Sequence, residues 1–469
     1  MSARRIFFRA ILIGVALVIL LAITPERGSF PSAVDIRALE RARNSGADMT
    51  EWKLLARFVS AKPDDAALWE RMGILDHRNG LCEQAIFEFG QAEHYGELSA
   101  ASLVPYAECL VERGNLQEAV ELLSPFSGSS ESPAGLELLL ARAYLRLGEG
   151  ENAIDVIREW AARDGEEPRV VYYLGLYQAL ASPAVAITTL QKTASLSSEY
   201  ENTYRQVQTA INLGQLQDNP AYQALELGRA YGSLGEWELA QYAFITAVQA
   251  DPQYAEAHAW LGEAQQQLDE DGSAELQKAL ALNPNSVLAQ AMNALALQRQ
   301  GNAQGALVFL EKVASQEPDN PEWLIALGQV RAILGDLENA LAEFQKAAGL
   351  EPGNVAAWQA LADFSLAYQY AVASTGIPAA NKAVLLAPED PHSLDLAGQA
   401  ALTNGKLGEA EGYFIKAIEQ DPRYAAAHLH LALIYFQYED YSAAIAELEK
   451  AAALGSLEAE NLLEQLEAQ

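Results

Sequence analysis

The chain has 469 residues, of which 63 are acidic and 31 are basic, so its formal net charge at neutral pH is −32. An excess of negative charge this large repels nucleic acid and anionic lipid, which excludes both as general partners of the body of the chain. Half of the residues are hydrophobic, a content that excludes a largely disordered chain. The acidic surface favours solubility of an elongated body, with a basic partner as the alternative reading.

The first thirty residues differ in kind from the rest. Three arginines within the first nine residues precede an uncharged apolar run from Ala10 to Ile23. Fourteen helical residues span about 21 Å and seventeen span about 27 Å, close to the bilayer core of about 30 Å. We therefore predict a cytoplasmic tail (1–5) and a transmembrane helix (6–24), an anchoring style that indicates a bacterial source. A cleaved signal peptide is the alternative, although no A-x-A cleavage site follows the apolar run.

Charge around this segment predicts its orientation. The leading arginines favour a cytoplasmic amino terminus, although four further arginines between positions 27 and 43 weaken the bias. Because the tail is short and directly precedes the apolar run, we predict one membrane span with the rest of the chain outside the cytoplasm.

A linker and capping helices are predicted next, over residues 25–65. The segments 34–43 and 50–61 have helical patterns, and Lys62-Pro63 closes the second of them. Stacked structures need such caps because a terminal element otherwise exposes an apolar face.

Prolines recur at nearly fixed intervals of 32 to 36 residues in the second half of the chain. They are Pro252, Pro284, Pro318, Pro352, Pro388 and Pro422. A fixed period of this size indicates one supersecondary unit that is copied and stacked.

A second pattern lies inside each period. In eight units a glycine or alanine is followed twelve residues later by an alanine, and small side chains let two helices approach closely. The first members of these pairs are Gly73, Ala107, Ala141, Gly228, Ala294, Gly328, Gly398 and Ala432. In most units a glycine suited to the left-handed conformation that ends a helix lies between the two members. These glycines are Gly80, Gly114, Gly148, Gly235, Gly301, Gly335 and Gly405. Each unit therefore reads as helix, tight turn, helix.

Residues 321–354 show the whole pattern, with Trp323, Leu327 and Gly328 in the first helix and Ala340, Phe344, Ala347 and Pro352 in and after the second. In order and spacing these residues resemble the tetratricopeptide repeat. We count eleven such units, which begin near Ala66, Ala100, Ala134, Pro168, Ala221, Ala255, Val287, Pro321, Val355, Pro391 and Ala425. The resemblance implies an all-α fold, a right-handed superhelical α-solenoid of about eleven helix-turn-helix repeats preceded by one transmembrane helix.

Several segments depart from the repeat. Residues 124–133 have the serine, glycine and proline content of a flexible loop. Residues 199–220 read as an inserted helix that either fills a gap or joins a first repeat block (66–198) to a second (221–456). The unit from Ala255 is two residues short, and the unit from Val355 is two residues long near Thr375-Gly376-Ile377-Pro378. A capping helix follows over 457–469, with Leu462, Leu463 and Leu466 expected to face inward.

No catalytic, cofactor or metal site is evident in the sequence. Six scattered histidines have no metal-ligand spacing, and neither a phosphate-binding glycine loop nor a nucleophile motif occurs. We therefore predict that the chain is not an enzyme and has no cofactor. Cys82 and Cys109 are expected to be two buried thiols, with a disulfide as the alternative.

In the family that the chain resembles, the exposed faces of the first helices form a groove that commonly binds peptides or partner domains. Transferred to this sequence, that face carries six arginines in the early units on an otherwise acidic chain. We predict a partner-binding groove formed by Arg71, Arg78, Arg142, Arg146, Arg169, Tyr172, Tyr173, Tyr222 and Arg229. Guanidinium groups suit bidentate recognition of carboxylates, so the expected partner is a protein or peptide with an acidic segment. The alternative is that these arginines pair with neighbouring glutamates.

The sequence therefore favours a membrane-anchored scaffold that mediates protein interactions through its groove, in envelope assembly, secretion or biogenesis. A tether concentrates such a groove at the membrane, where modest affinity suffices. The alternative function is a non-catalytic accessory subunit of a membrane enzyme or of a machine for polysaccharide synthesis or export.

Overall fold

The computed structural model of the chain describes residues 33–45, 48–129 and 132–467. Every regular element in that part of the chain is a helix, so the predicted all-α stack of helical hairpins is confirmed. The chain divides into two compact units, the first ending at Asp251 and the second beginning at Pro252. Each unit has hydrophobic cores of its own.

Thirteen α-helices lie in the described part of the first unit. They are α1 (Ala33–Ser45), α2 (Asp48–Ala61), α3 (Ala66–Arg78), α4 (Cys82–Tyr95), α5 (Ala100–Glu112), α6 (Leu116–Leu123), α7 (Leu136–Arg146), α8 (Gly150–Asp164), α9 (Pro168–Ala181), α10 (Pro183–Leu196), α11 (Glu201–Gln215), α12 (Pro220–Ser233) and α13 (Trp237–Ala250). Short 3₁₀ turns cover Ser124–Phe126 and Ser198–Tyr200. Helix α11 lies within the predicted inserted segment and packs against both α10 and α12.

Thirteen more α-helices lie in the second unit, which is described as far as residue 467. They are α14 (Ala255–Gln267), α15 (Ser273–Leu282), α16 (Val287–Arg299), α17 (Ala303–Gln316), α18 (Pro321–Ile333), α19 (Leu337–Leu350), α20 (Val355–Ala367), α21 (Ile377–Leu386), α22 (Pro391–Thr403), α23 (Leu407–Gln420), α24 (Ala425–Gln437), α25 (Tyr441–Ala453) and α26 (Leu457–Glu467). In the capping helix α26, Leu462 and Leu463 pack against the core as predicted, whereas Leu466 is exposed.

Glycine and aromatic side chains determine how closely the two helices of a repeat approach. A Cβ atom placed on Gly398 of α22 would lie 2.4 Å from the ring of Phe414 in α23, and Gly228 has the same relationship to Phe244. Both phenylalanines are fully buried. The predicted turn glycines have positive φ angles, for example 82° at Gly335, which an L side chain rarely adopts.

The long repeat that begins at Val355 has an altered turn. Gln369 and Ala371 have φ angles of 50° and 52°, and one turn of π-helix follows over Val372–Gly376 before α21 begins. The two extra residues predicted in this region are therefore accommodated in the turn and in the π-helical segment, while α21 keeps its packing on α20 and α22.

Two expectations need correction. Among the described helices, none has the length and apolar content that a membrane crossing requires, since the longest have 15 residues, about 22 Å. The prediction of a single-pass membrane protein with extracytoplasmic repeats is therefore contradicted; the segment predicted to span the bilayer, 6–24, lies outside the described residues. The second correction concerns Cys82 and Cys109, which form a disulfide between α4 and α5 and not two thiols.

Candidate partner-binding surfaces

The first helices of successive repeats pack on one another in both units. In the first unit α3 contacts α5 and α5 contacts α7; in the second, α14 contacts α16, α18 contacts α20, and α22 contacts both α20 and α24. Side chains from neighbouring repeats therefore lie on one shared surface, which we call the first-helix face of each unit.

Arg71, the first of the predicted groove residues, forms a bidentate ion pair inside the first unit. Its Nε and Nη2 donate to the two carboxylate oxygens of Glu51 in α2 at 2.8 and 2.7 Å. The hydrogen bond from Arg71 lowers the pKa of Glu51 against the opposing effect of burial. The predicted groove arginine thus fastens the capping helix α2 to the first repeat.

Arg142 reaches a turn that lies 94 residues further along the chain. Its Nη2 donates to Glu236 at 3.3 Å, and its Nε lies 3.8 Å from a carboxylate oxygen of Glu238. Glu236 precedes α13, is 9% exposed, and also accepts a hydrogen bond from the Tyr172 hydroxyl at 3.4 Å. Burial raises the pKa of Glu236 despite the attraction of Arg142. We call this contact between α7, α9 and the turn before α13 the glutamate clasp.

The remaining predicted residues have varied surroundings. Arg146 donates to the carbonyl oxygen of Val111, Arg169 lies over the Tyr173 ring, and Arg229 pairs with Glu226. Tyr172 and Tyr173 are each 9% exposed, Tyr222 is half-buried and Arg78 is exposed. The structure therefore places chain carboxylates on Arg71, Arg142 and Arg229, and the recognition of an external acidic segment by this face stays a prediction.

On the first-helix face of the second unit, charged side chains join neighbouring repeats. Arg299 of α16 makes two hydrogen bonds, of 2.9 and 2.6 Å, to Glu263 of α14. Asp363 of α20 pairs with His392 of α22, and Asp395 of α22 pairs with His430 of α24. Sequence reasoning missed both histidine pairs. Their separations of 29 and 35 residues, close to one repeat, were the signal that could have found them.

The polar groups of these faces are suited to binding. Within the described ranges, no three or more histidine, cysteine, aspartate or glutamate residues are grouped so that they could hold a metal ion. The exposed or half-exposed groups of the second unit's face, such as Gln329, Gln399 and Asp363, are suited to hydrogen bonds and charge pairing.

Two family models match parts of the chain. Residues 288–355 and 396–459 match a family model described as tetratricopeptide repeat, and residues 228–269 match a second described as TPR repeat. Tetratricopeptide repeats build these segments. They include most of the second unit and reach back into α12 and α13 of the first.

Several solved structures contain chains that are similar to this one. MamA from Desulfovibrio magneticus RS-1 is 26% identical, over 36% of this chain and 94% of its own, with a TM-score of 0.31. Yeast Tom70 is 15% identical, over 91% and 92%, with a TM-score of 0.42. A tetratricopeptide repeat protein from Parabacteroides merdae is 17% identical, over 52% and 98%, with a TM-score of 0.44. No curated protein matches the chain.

Proposed function

We propose that this chain is a non-catalytic scaffold that binds a protein partner on the first-helix face of its second unit. The observation that supports the proposal most directly is the match of 288–355 and 396–459 to tetratricopeptide repeats, a repeat type that generally binds proteins. The role in envelope assembly, secretion or biogenesis depended on the membrane anchor, so the proposal is limited to recognition of a protein partner.

The accessibility of side chains favours the second unit over the first. In the first unit Arg142 and Tyr172 contact Glu236 in the glutamate clasp, and Arg71 forms an ion pair with Glu51. In the second unit Gln329 of α18 is exposed, and the side chain of Asp363 in α20 is 47% exposed. A partner therefore meets the exposed Gln329 amide and the second carboxylate oxygen of Asp363, whose Oδ1 contacts His392.

Site-specific photocrosslinking of the full chain in its native cells tests the proposal. A crosslinking amino acid at Gln329 is expected to capture a discrete protein partner. The matched control places the same amino acid at Lys346, which is exposed on the second helix α19 of the same repeat. We expect no such capture there, since Lys346 lies on the other helix of the hairpin.

Equal capture at Gln329 and Lys346 contradicts the choice of face, and capture at neither position contradicts partner binding through this repeat. A purified chain that turns over a substrate unaided contradicts the non-catalytic assignment.

A further inference from the structure

Two histidine–aspartate pairs connect the first helices of the last three repeats. His392 Nε2 of α22 lies 3.1 Å from Asp363 Oδ1 of α20, and His430 Nδ1 of α24 lies 2.7 Å from Asp395 Oδ1 of α22. Because Asp395 and His392 both belong to α22, the two pairs form a continuous series from α20 to α24.

Burial makes this series sensitive to the charge of its members. The Asp395 side chain is only 2% exposed and that of His430 is 21% exposed, so water screens this pair weakly. The Asp363–His392 pair is more open, at 47% and 37%. A buried aspartate whose partner becomes neutral is costly for the folded state.

Among the described residues, the other charged groups that act on the two imidazoles are carboxylates. Asp390 and Asp395 add to the field of Asp363 at His392, and Glu458 of the capping helix α26 adds to the field of Asp395 at His430. The neighbouring ring of Phe414 in α23 is uncharged, as is the Tyr424 hydroxyl, whose own pKa is raised by burial and by the same aspartates. These surroundings favour a proton on each imidazole.

The pKa directions agree with this geometry. The hydrogen bond to Asp363 raises the pKa of His392 above its ordinary value of 6.5, against burial and with help from the nearby aspartate charges. Burial opposes the charged form of His430, but the hydrogen bond and charge of Asp395 outweigh it and raise the pKa above 6.5. The stabilisation is therefore complete below pH 6.5 and is lost as the pH rises through the folded-state pKa values.

We propose that the two histidine–aspartate pairs form a pH-operated fastening that holds α20, α22 and α24 together when the imidazoles are protonated and loosens the last two repeats when they are neutral. The fastening depends on the contacts between repeats and not on the proposed partner. Loosening would act on α22 to α26, since α26 packs on α25 beyond the second pair.

Hydrogen exchange of the full chain, expressed as protection relative to the intrinsic rate at each pH, tests the fastening. Between pH 6 and pH 8 we expect a loss of protection in α22 to α26 that exceeds any change in α16 to α18 of the same unit. If protection falls equally in α22 to α26 and in α16 to α18, the proposal is overturned.

The double variant His392→Gln, His430→Gln is expected to have low protection in α22 to α26 at both pH values. His94→Gln, an exposed histidine of α4, is the control and is expected to keep the wild-type dependence. The double variant keeps His428, which contacts Glu447 of α25. If the double variant still shows the wild-type pH dependence of protection, groups other than His392 and His430 cause it, and the proposal is overturned.

Discussion

Trp358 donates a hydrogen bond from its indole Nε1 to the carbonyl oxygen of Pro352, six residues before it, at 3.0 Å. The same six-residue contact joins Trp69 to Pro63, His258 to Pro252, Gln290 to Pro284 and His428 to Pro422, at 2.6 to 3.1 Å. Four of the six regularly spaced prolines, together with Pro63, thus have a side-chain partner that attaches the start of the following helix to the loop before it. Tryptophan, histidine and glutamine have little in common except a side-chain N–H donor of sufficient reach. A search for one conserved residue type therefore does not find this contact.

Removal of one such donor is expected to destabilise the second unit. Gln290→Met keeps the length of the side chain but leaves the Pro284 carbonyl without its donor, and Gln290 is only 3% exposed. Because Pro284 itself is exposed, its carbonyl can turn to water, and we expect the lost hydrogen bond to cost about 0.5–1.5 kcal/mol, measured as a lower urea midpoint. The control is Gln300→Met, an exposed position just after the same helix, which is expected to change the midpoint little. Equal effects of the two substitutions would show that the proline contact contributes nothing.

The close approach of α22 and α23 predicts opposite effects for two glycines of one repeat. Gly398→Ala places a Cβ against the Phe414 ring and is expected to cost about 1–3 kcal/mol through overpacking. A Cβ added at Gly412, inside α23, would meet no atom within 4 Å apart from the neighbouring backbone of its own helix. Gly412→Ala is therefore expected to stabilise the protein by about 1 kcal/mol through helix propensity. Thermal unfolding followed by circular dichroism measures both. A stabilising Gly398→Ala substitution contradicts the packing described.

A buried carboxyl pair in the first unit predicts a dependence of stability on pH. Asp76 and Glu88 are each 3% exposed, and burial together with the charge of Asp76 raises the pKa of Glu88 to about 9. Because the folded state holds this proton above the ordinary value of 4.5, wild-type stability falls as the pH rises from 4.5 towards 9. Glu88→Gln removes the titration and is expected to exceed wild-type stability at pH 8 by more than about 1 kcal/mol.

The stability advantage of Glu88→Gln over the wild type should be smaller at pH 5 than at pH 8. Urea denaturation of both proteins at the two pH values measures this difference. Glu93→Gln, at an exposed position of the same helix α4, is the control and should follow the wild type. An advantage that is the same at both pH values rules out titration of Glu88 as its cause.

The glutamate clasp predicts a measurable coupling between Arg142 and Glu236. Arg142→Met and Glu236→Gln each leave a largely covered partner behind, since the two side chains are 32% and 11% exposed. We expect a double-mutant cycle to give a coupling of about 1–2 kcal/mol, below the value for a fully buried pair. The exposed pair Arg158–Asp155 in α8 serves as control, with an expected coupling below about 1 kcal/mol. Equal couplings in the two cycles contradict a structural role for the clasp.

Residue patterns predicted the hairpins well and the contacts between distant repeats poorly. The turn at Gly335 and the approach of Gly398 to Phe414 depend on residues within one repeat, so the period and residue size reveal them. The pairing of Arg142 with Glu236 spans 94 residues and depends on the packing of α7 against α13. Arginines on a predicted face show that positive charge is present. The sequence pattern does not show which carboxylate of the chain pairs with each of them.

The disulfide between Cys82 and Cys109 predicts a stability that responds to reductant. It closes a loop with a sequence separation of 27 residues between α4 and α5, for which chain entropy gives a stabilisation of about 3.5 kcal/mol. We expect reductant to lower the melting temperature of the wild type and to leave that of Cys82→Ala, Cys109→Ala unchanged. Peptide mapping without reductant should recover the two cysteines in one linked fragment. Free thiols at both positions in the untreated protein would contradict the bond, and the expectation of two buried thiols would then hold.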